Sequence, residues 1–473
     1  MIMHVFSRAK ARWREAGRRL ASLAVVAVTA AALAVAGPAA PALAQGMSLI
    51  RDAEIETTIR GWAAPLLRAA GVSPDSVTIR MVRDDSLNAF VTLGNKMYIH
   101  TGLLKRSDNA SQVIGVMAHE IGHIAGGHAV RLKDEVETAQ MLSMIAAALG
   151  MAAAVGSGRG DVGTAVMMGG SQAALKNLFS FSRTQESAAD QAALKYLNAT
   201  GQSAQGLLEF FEILGDQELL LTSQQDPYVR THPLTRERIA TIRNAVENSA
   251  YPQRTETAAD QIAHARMVAK LFAFLETPGR TFQRYPQSST EIPARYAHAV
   301  AYYRQGKLAQ ALPIIDGLVA EYPHDPYFHE LRGQMLLENG RVADSLDSYR
   351  RAVELRPDAP LIRIALAHAM IETQDDSLLA AAQEHLNEAL KTERADGMAW
   401  RLLGISYGRQ DNLTMASYAM AESALLQGDP SQALFHASRA EQGLKTGEPT
   451  WLRVQDVKQR AQNLMDEKKR RGG

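Results

Sequence analysis

Apolar residues along this chain fall into three patterns, and each predicts a different element. Helical spacing is the commonest. Ile50, Ile55, Ile59 and Leu66/Leu67 make one stripe and predict a helix from Ser48 to about Ala70. Another helix starts near Ser111 and carries Val113, Val116, Met117, Ile121 and Ile124. Further helices are expected over Thr184–Asn198, onward to Asn248 with a break near Gln225–Pro233, and over Thr257–Leu275. Alternation is the second pattern. Val77-Thr-Ile-Arg-Met-Val-Arg reads as a strand, and Asn88 to His100 as two strands joined at Gly94-Asn95. The third pattern is an unbroken apolar run. Met141–Val155 holds 15 residues without a charge, Gly156–Gly163 interrupts it, and a weaker run follows from Thr164 to Leu178. This predicts a helical hairpin, with burial in the core as its plainest placement. Covering a site or lying on a membrane are the alternatives. Each run falls short of the roughly 20 residues that span a bilayer.

The second half of the chain repeats. Glu276–Pro293 holds Pro278, Pro286 and Pro293 among polar residues and reads as a linker. Beyond it Gly306 and Gly340 are 34 residues apart, as are Pro323 and Pro357, and Pro326 and Pro360. A period of 34 in a helix–turn–helix–Pro pattern is the tetratricopeptide signature. Degenerate copies continue over Leu361–Leu390, from Trp400 and from Gly428, giving four to five units before a polar tail, Asp466–Gly473.

The amino-terminal residues set the compartment. Arg8, Lys10, Arg12, Arg14, Arg18 and Arg19 precede an apolar stretch from Leu20 to about Gly37, and Ala42-Leu-Ala44 fits a small-x-small cleavage site. This predicts a secretory signal peptide over 1–44 and a periplasmic destination. Its removal takes away six positive charges and one negative, and the formal charge falls from +1 to −4. A mildly acidic mature chain without a basic stripe argues against a nucleic-acid partner. Cysteine is absent, which excludes disulfides, thiolate metal ligands and thiol catalysis.

Chemistry concentrates in VMAHEIGHIAGGH, residues 116–128. His119 and His123 stand four apart, so on a helix both imidazoles leave one face and can share one Zn²⁺. Glu120 lies between them, placed to act as general base on water rather than as a ligand. Catalytic zinc needs a third protein ligand. On a continuing helix His128 is turned about 140° from the ligand face, which disfavours it. Arg183-Thr-Gln-Glu-Ser-Ala-Ala-Asp190 offers an alternative on a second helix. Glu186 can ligate, Asp190 can accept the other N–H of a ligating histidine, and Ala188 and Ala189 allow close helix approach.

His119-Glu120-x-x-His123 with Glu186-x-x-x-Asp190 resembles the HtpX-like (gluzincin) family of zinc metalloproteases. Signal peptide, protease domain and repeats together resemble its periplasmic branch. The resemblance implies a mainly α chain: an α+β zincin-like metalloprotease domain with a small edge sheet over 45–275, a linker over 276–293, and an α-helical tetratricopeptide solenoid over 294–465. It implies one zinc per chain and cleavage of misfolded or misassembled, outer-membrane polypeptides. The repeats would hold clients or the outer-membrane assembly machinery. The alternative is a chaperone or scaffold with latent proteolysis. Asn88, Ala89, Phe90 and Val91 resemble the edge strand that pairs with a substrate backbone. Thr231-His232-Pro233 and Arg238 resemble the family's His-Pro segment and its later Arg. His232 is thereby implied as a fourth, displaceable ligand or oxyanion stabiliser, and Arg238 as a residue that orients the site. The 141–179 insert sits where membrane-embedded relatives carry transmembrane helices. Its shortness leaves peripheral membrane contact as the expectation.

Overall fold

Asp52 separates a strand from a helix where the apolar stripe predicts helix throughout. Leu49–Ile50 pair with Val82 and Met81 as strand β1. Asp52 then caps helix α1, Ala53–Ala69, its carboxylate accepting the Ile55 N–H at 2.9 Å. The computed structural model describes residues 47–157, 160–215, 228, 231–253 and 255–472. The leader expected over 1–44 lies outside them.

A four-stranded sheet supports the first half, in the order β1-β2-β4-β3. β2 is Thr78–Val82, β3 Ala89–Thr92 and β4 Lys96–His100. β3 and β4 form the expected hairpin. Leu93, Gly94 and Asn95 form its three-residue loop, in which Gly94 and Asn95 both have positive φ, 79° and 55°. Ile79 and Met81 on β2 lie beside Met97 and Ile99 on β4, all buried in one core. β3 is at the sheet's edge and packs on helix α3, Ala110–Ala125, which lies between the sheet and the later helices. Between β4 and α3 runs α2, Thr101–Arg106.

The uncharged segment forms a hairpin, but not a buried one. Helix α4, His128–Ser157, and helix α5, Gly160–Ala199, pack against each other. Met141, Leu142, Met144, Ile145, Leu149, Met151 and Met168 are all exposed. The core placement expected for this segment is therefore wrong. So is its shortness as a helix: α4 begins well before Met141, with Arg131, Lys133, Asp134, Glu135 and Glu137 in its first turns. An 18-residue window within His128–Ala154 has a mean hydropathy of 1.3, enough by length and composition to cross a membrane. α5 then continues without a break into the helix expected over Thr184–Asn198. α6 is Gln205–Gly215, α7 Arg236–Glu247 and α8 Ala258–Leu275.

The segment read as a linker holds a short helix, α9, Pro278–Arg284, capped by Thr277. From Ile292 to Gly472 the described residues form five helix pairs. Gly306 and Gly340 adopt φ of 69° and 78° at the turns inside the first two pairs. The next turn, again 34 residues on, places Gln374 at φ 61°. The repeat geometry persists there without its glycine, which is why the third copy looks degenerate in sequence. The polar tail is not separate either: Pro449–Gly472 is one helix.

Charged residues fasten the repeats to the first half at two places. Lys270 Nζ lies 2.7 Å from Asp52 and 3.3 Å from Glu54. Glu54 also accepts from Tyr296 Oη at 2.7 Å and from Arg266, which bridges to Asp325. Further along, Glu393 meets Arg80 of β2 at 2.8 Å and Arg51 at 3.0 Å. Buried pairs of this kind set a fixed geometry more than they add stability.

Candidate metal centre

α3 is buried along nearly its whole length, from Ala110 to His123. Two glycines allow this. A Cβ on Gly115 would stand 2.6 Å from the Leu207 backbone, and one on Gly122 2.8 Å from the Ala189 carbonyl. They are seven residues apart and so face nearly the same way. Gly122 and Ala189 bring α3 and α5 close enough for their side chains to share one small space. The spacing of the two glycines was visible in the sequence, but only Ala188 and Ala189 draw attention there.

In that space His119, His123, Glu186 and His232 each offer a ligand atom, all within 4.8 Å of one another and all buried. His119 Nε2 is 3.0 Å from His123 Nε2 and 3.3 Å from Glu186 Oε2. His232 Nδ1 is 3.2 Å from Glu186 Oε1. Two histidines held by one tetrahedral zinc would set their nitrogens about 3.3 Å apart, given Zn–N bonds of about 2.0–2.1 Å. Behind this cluster Asp190 Oδ1 lies 2.9 Å from His119 Nδ1, on the side of the ring away from the cluster. Arg238 donates to both Asp190 oxygens, at 2.7 and 2.8 Å, and stands 3.2 Å from Glu186. The Phe211 ring lies 5.0 Å from its guanidinium, and Tyr228 stacks on His232 at 4.6 Å. Neither aromatic residue is marked by any sequence pattern.

His128 is outside the four-residue cluster, though not for the reason its spacing suggests. The helix does not continue: it stops at Gly126, Gly127 takes φ 63°, and α4 begins at His128. The His128 ring folds back over Gly126, where a Cβ would meet its Nε2 at 2.3 Å. This brings His128 Nδ1 to 2.9 Å from His123 Nδ1, so one of the two nitrogens donates to the other. With His123 Nε2 facing the cluster, His128 can fix the tautomer of His123 as Asp190 can that of His119. His128→Ala is expected to weaken metal binding by about 10–100-fold with the fold retained, measured by chelator competition beside circular dichroism. Unchanged affinity would leave His128 a packing residue only.

Charge in the site is unbalanced. Glu120, Glu186 and Asp190 are buried carboxylates, and among the described residues Arg238 is the one buried guanidinium beside them. With the histidines neutral, as metal ligands must be, three ionised carboxylates against one guanidinium leave two negative charges, which a divalent cation would neutralise. Both Glu120 oxygens are buried without a hydrogen-bond partner, and burial pushes its carboxyl up. Burial also disfavours charge on His119, but Asp190 and Glu186 outweigh it and push the imidazole up to about 9. For Glu186 burial is outweighed by His232 and His119, which hold it well below the usual carboxylate range. His123 is held well below 6.5 by burial and by neighbouring His119. A metal binding here would displace the His119 proton. Donor types, spacing and charge fit a divalent metal.

Asn88 and Ala89 are buried, and Phe90 and Val91 half-buried, at the start of edge strand β3. Phe90 stacks on Tyr98 of β4 at 5.2 Å.

Residues 50–246 match the profile of peptidase family M48, and residues 296–360 that of the tetratricopeptide repeat. The chain carries an M48 metallopeptidase domain followed by tetratricopeptide repeats. A beta-barrel assembly-enhancing protease of Yersinia pestis is 25% identical over 372 residues, 78% of this chain and 75% of that one. A protein of the same name from Escherichia coli (strain K12) is 25% identical over 376 residues, 78% and 74% of the two chains. Metalloprotease YcaL of that strain is 25% identical over 187 residues, 39% of this chain and 68% of its own. The M48 match contains all four clustered residues with Glu120, Asp190 and Arg238, and it also contains the α4–α5 hairpin.

Proposed function

We propose that the M48 domain is a zinc-dependent endopeptidase that works in the periplasm on polypeptides of the outer-membrane assembly route. The observation that carries the reading is a buried Glu120 carboxylate that accepts no hydrogen bond, beside converging His119, His123 and Glu186. The names of the two long relatives support the substrate class. Bound zinc would supply Lewis-acid activation of water and of the scissile carbonyl. His119, His123 and Glu186 would hold it. Glu120 takes the proton of the attacking water and delivers it to the leaving amine. Asp190 and Arg238 keep His119 and Glu186 in place. The free edge of β3, from Asn88 to Val91, presents backbone groups that can align an extended peptide. The repeats would hold clients or assembly partners.

One observation favours a latent form of the same enzyme. His232 stands at the cluster as a fourth donor, and its Nε2 is 3.5 Å from Glu120 Oε1. A fourth protein donor closes the position that water needs. The purified mature chain is expected to hold about one zinc, to cleave casein, and to lose cleavage on chelation. His232→Ala should cleave faster. Less than about half an equivalent of zinc, or cleavage indifferent to chelation, would sink the enzyme reading. Slower cleavage by His232→Ala would assign His232 to the reaction itself. Rescue of a deletion strain by Glu120→Gln would favour a chaperone or scaffold.

A further inference from the structure

From the α4–α5 hairpin we infer that this segment inserts into the hydrocarbon of a lipid bilayer. No charged residue occurs among the 20 residues from Thr138 to Ser157 of α4, or among the 14 from Val162 to Leu175 of α5. At 1.5 Å per residue the longer arm is about 30 Å, the thickness of a bilayer's hydrocarbon core.

The distribution of side chains around the arm points the same way. Ala146 and Gly150 are buried on the side facing α5. Met141, Leu142, Met144, Ile145, Leu149 and Met151, all exposed, spread over roughly 180° of the remaining circumference at 100° per residue. A protein groove or a second copy would cover one stripe of such a surface. A helix that is apolar all round needs an apolar medium on every side.

The seam between the arms fits that medium too. A Cβ on Gly170 would lie 2.3 Å from the Ala146 Cβ, and Ala174 is buried one turn further along. Small residues at the crossing let two backbones approach closely, as helices do when lipid offers no hydrophobic drive to associate. Charge returns where the arms rejoin the body. Arg131, Lys133, Asp134, Glu135 and Glu137 stand on α4, and Lys176 and Arg183 on α5. α5 reaches Glu186 ten residues past Lys176, about 15 Å, so insertion would hold the metal cluster close to the lipid surface.

The absence of cysteine makes the test direct. Leu149→Cys and Asp134→Cys are each labelled with bimane in the otherwise native mature chain. They are mixed with vesicles of phosphatidylethanolamine and phosphatidylglycerol. The protein is expected to float with the vesicles. The label at 149 should shift to the blue and lose at least about half its emission to brominated acyl chains, while the label at 134 does neither. Met144→Glu with Leu149→Glu should reduce flotation at least tenfold and leave casein cleavage within twofold. No flotation, or no quenching at 149, overturns the inference whether or not the double variant folds. An equal blue shift without lipid, rising with protein concentration, would assign the surface to a second copy instead.

Discussion

Glu120→Gln is expected to lower casein cleavage by about 10²–10⁴-fold while zinc content stays unchanged, the range a positioned general base contributes. The side chain is not among the clustered ligand atoms, so removing its charge leaves the donor set intact. A second signature follows from its surroundings. Glu120 is fully buried, both oxygens lack hydrogen-bond partners, and burial pushes its carboxyl up. A buried carboxylate that accepts no hydrogen bond, with His232 Nε2 no closer than 3.5 Å, destabilises the fold. The metal-free Gln variant should therefore unfold at the same or a higher urea concentration than the metal-free parent. That is the trade between stability and activity expected of a catalytic group. Cleavage retained within tenfold would remove Glu120 from the base's role. Loss of zinc in the variant would make it a ligand.

Asp190→Ala should do the reverse, damaging the fold and the metal site together. Asp190 receives both arms of the Arg238 guanidinium and lies 2.9 Å from His119 Nδ1. Burial disfavours its charge, yet Arg238 and His119 outweigh that and hold its carboxyl low. Its loss leaves buried Arg238 with one carboxylate instead of two, Glu186 at 3.2 Å, beside the Pro233 carbonyl at 2.7 Å. Removing one partner of a buried pair costs about 3–5 kcal/mol, so metal-free Asp190→Ala should show that loss in urea unfolding. His119 also loses the group that fixes its tautomer, and metal affinity should fall by about 10–100-fold. Arg238→Ala tests the origin of the stability loss. If Asp190→Ala costs the same in that background, the two residues do not act as a pair.

Both predictions rest on residues that local spacing could only partly identify. His119 and His123 are legible because four residues on a helix are one turn, and Glu120 follows from them. Glu186 and Asp190 are legible as a pair on a second helix. Their meeting with α3 depends on Gly122 against Ala189, a contact between segments far apart in sequence. His128 shows the limit from the other side. Helical extrapolation turns it away from the site, whereas Gly126 and Gly127 break the helix and fold it back onto His123. The hairpin shows a different limit. An apolar run reads alike in a core and in a membrane, and only its exposure in the fold separates the two.

Local order was thus determined by sequence alone. It set the strand pair around Gly94-Asn95, the 34-residue repeat and the two-histidine helix, because turn residues, helical period and repeat spacing act over a few residues. The tertiary structure decided which carboxylate faces the histidines, that His232 joins them, that His128 stands behind His123, and that α4 and α5 keep their apolar surface outward. Those outcomes depend on backbones approaching at glycines and on burial, which pair residues tens of positions apart and leave no periodic trace.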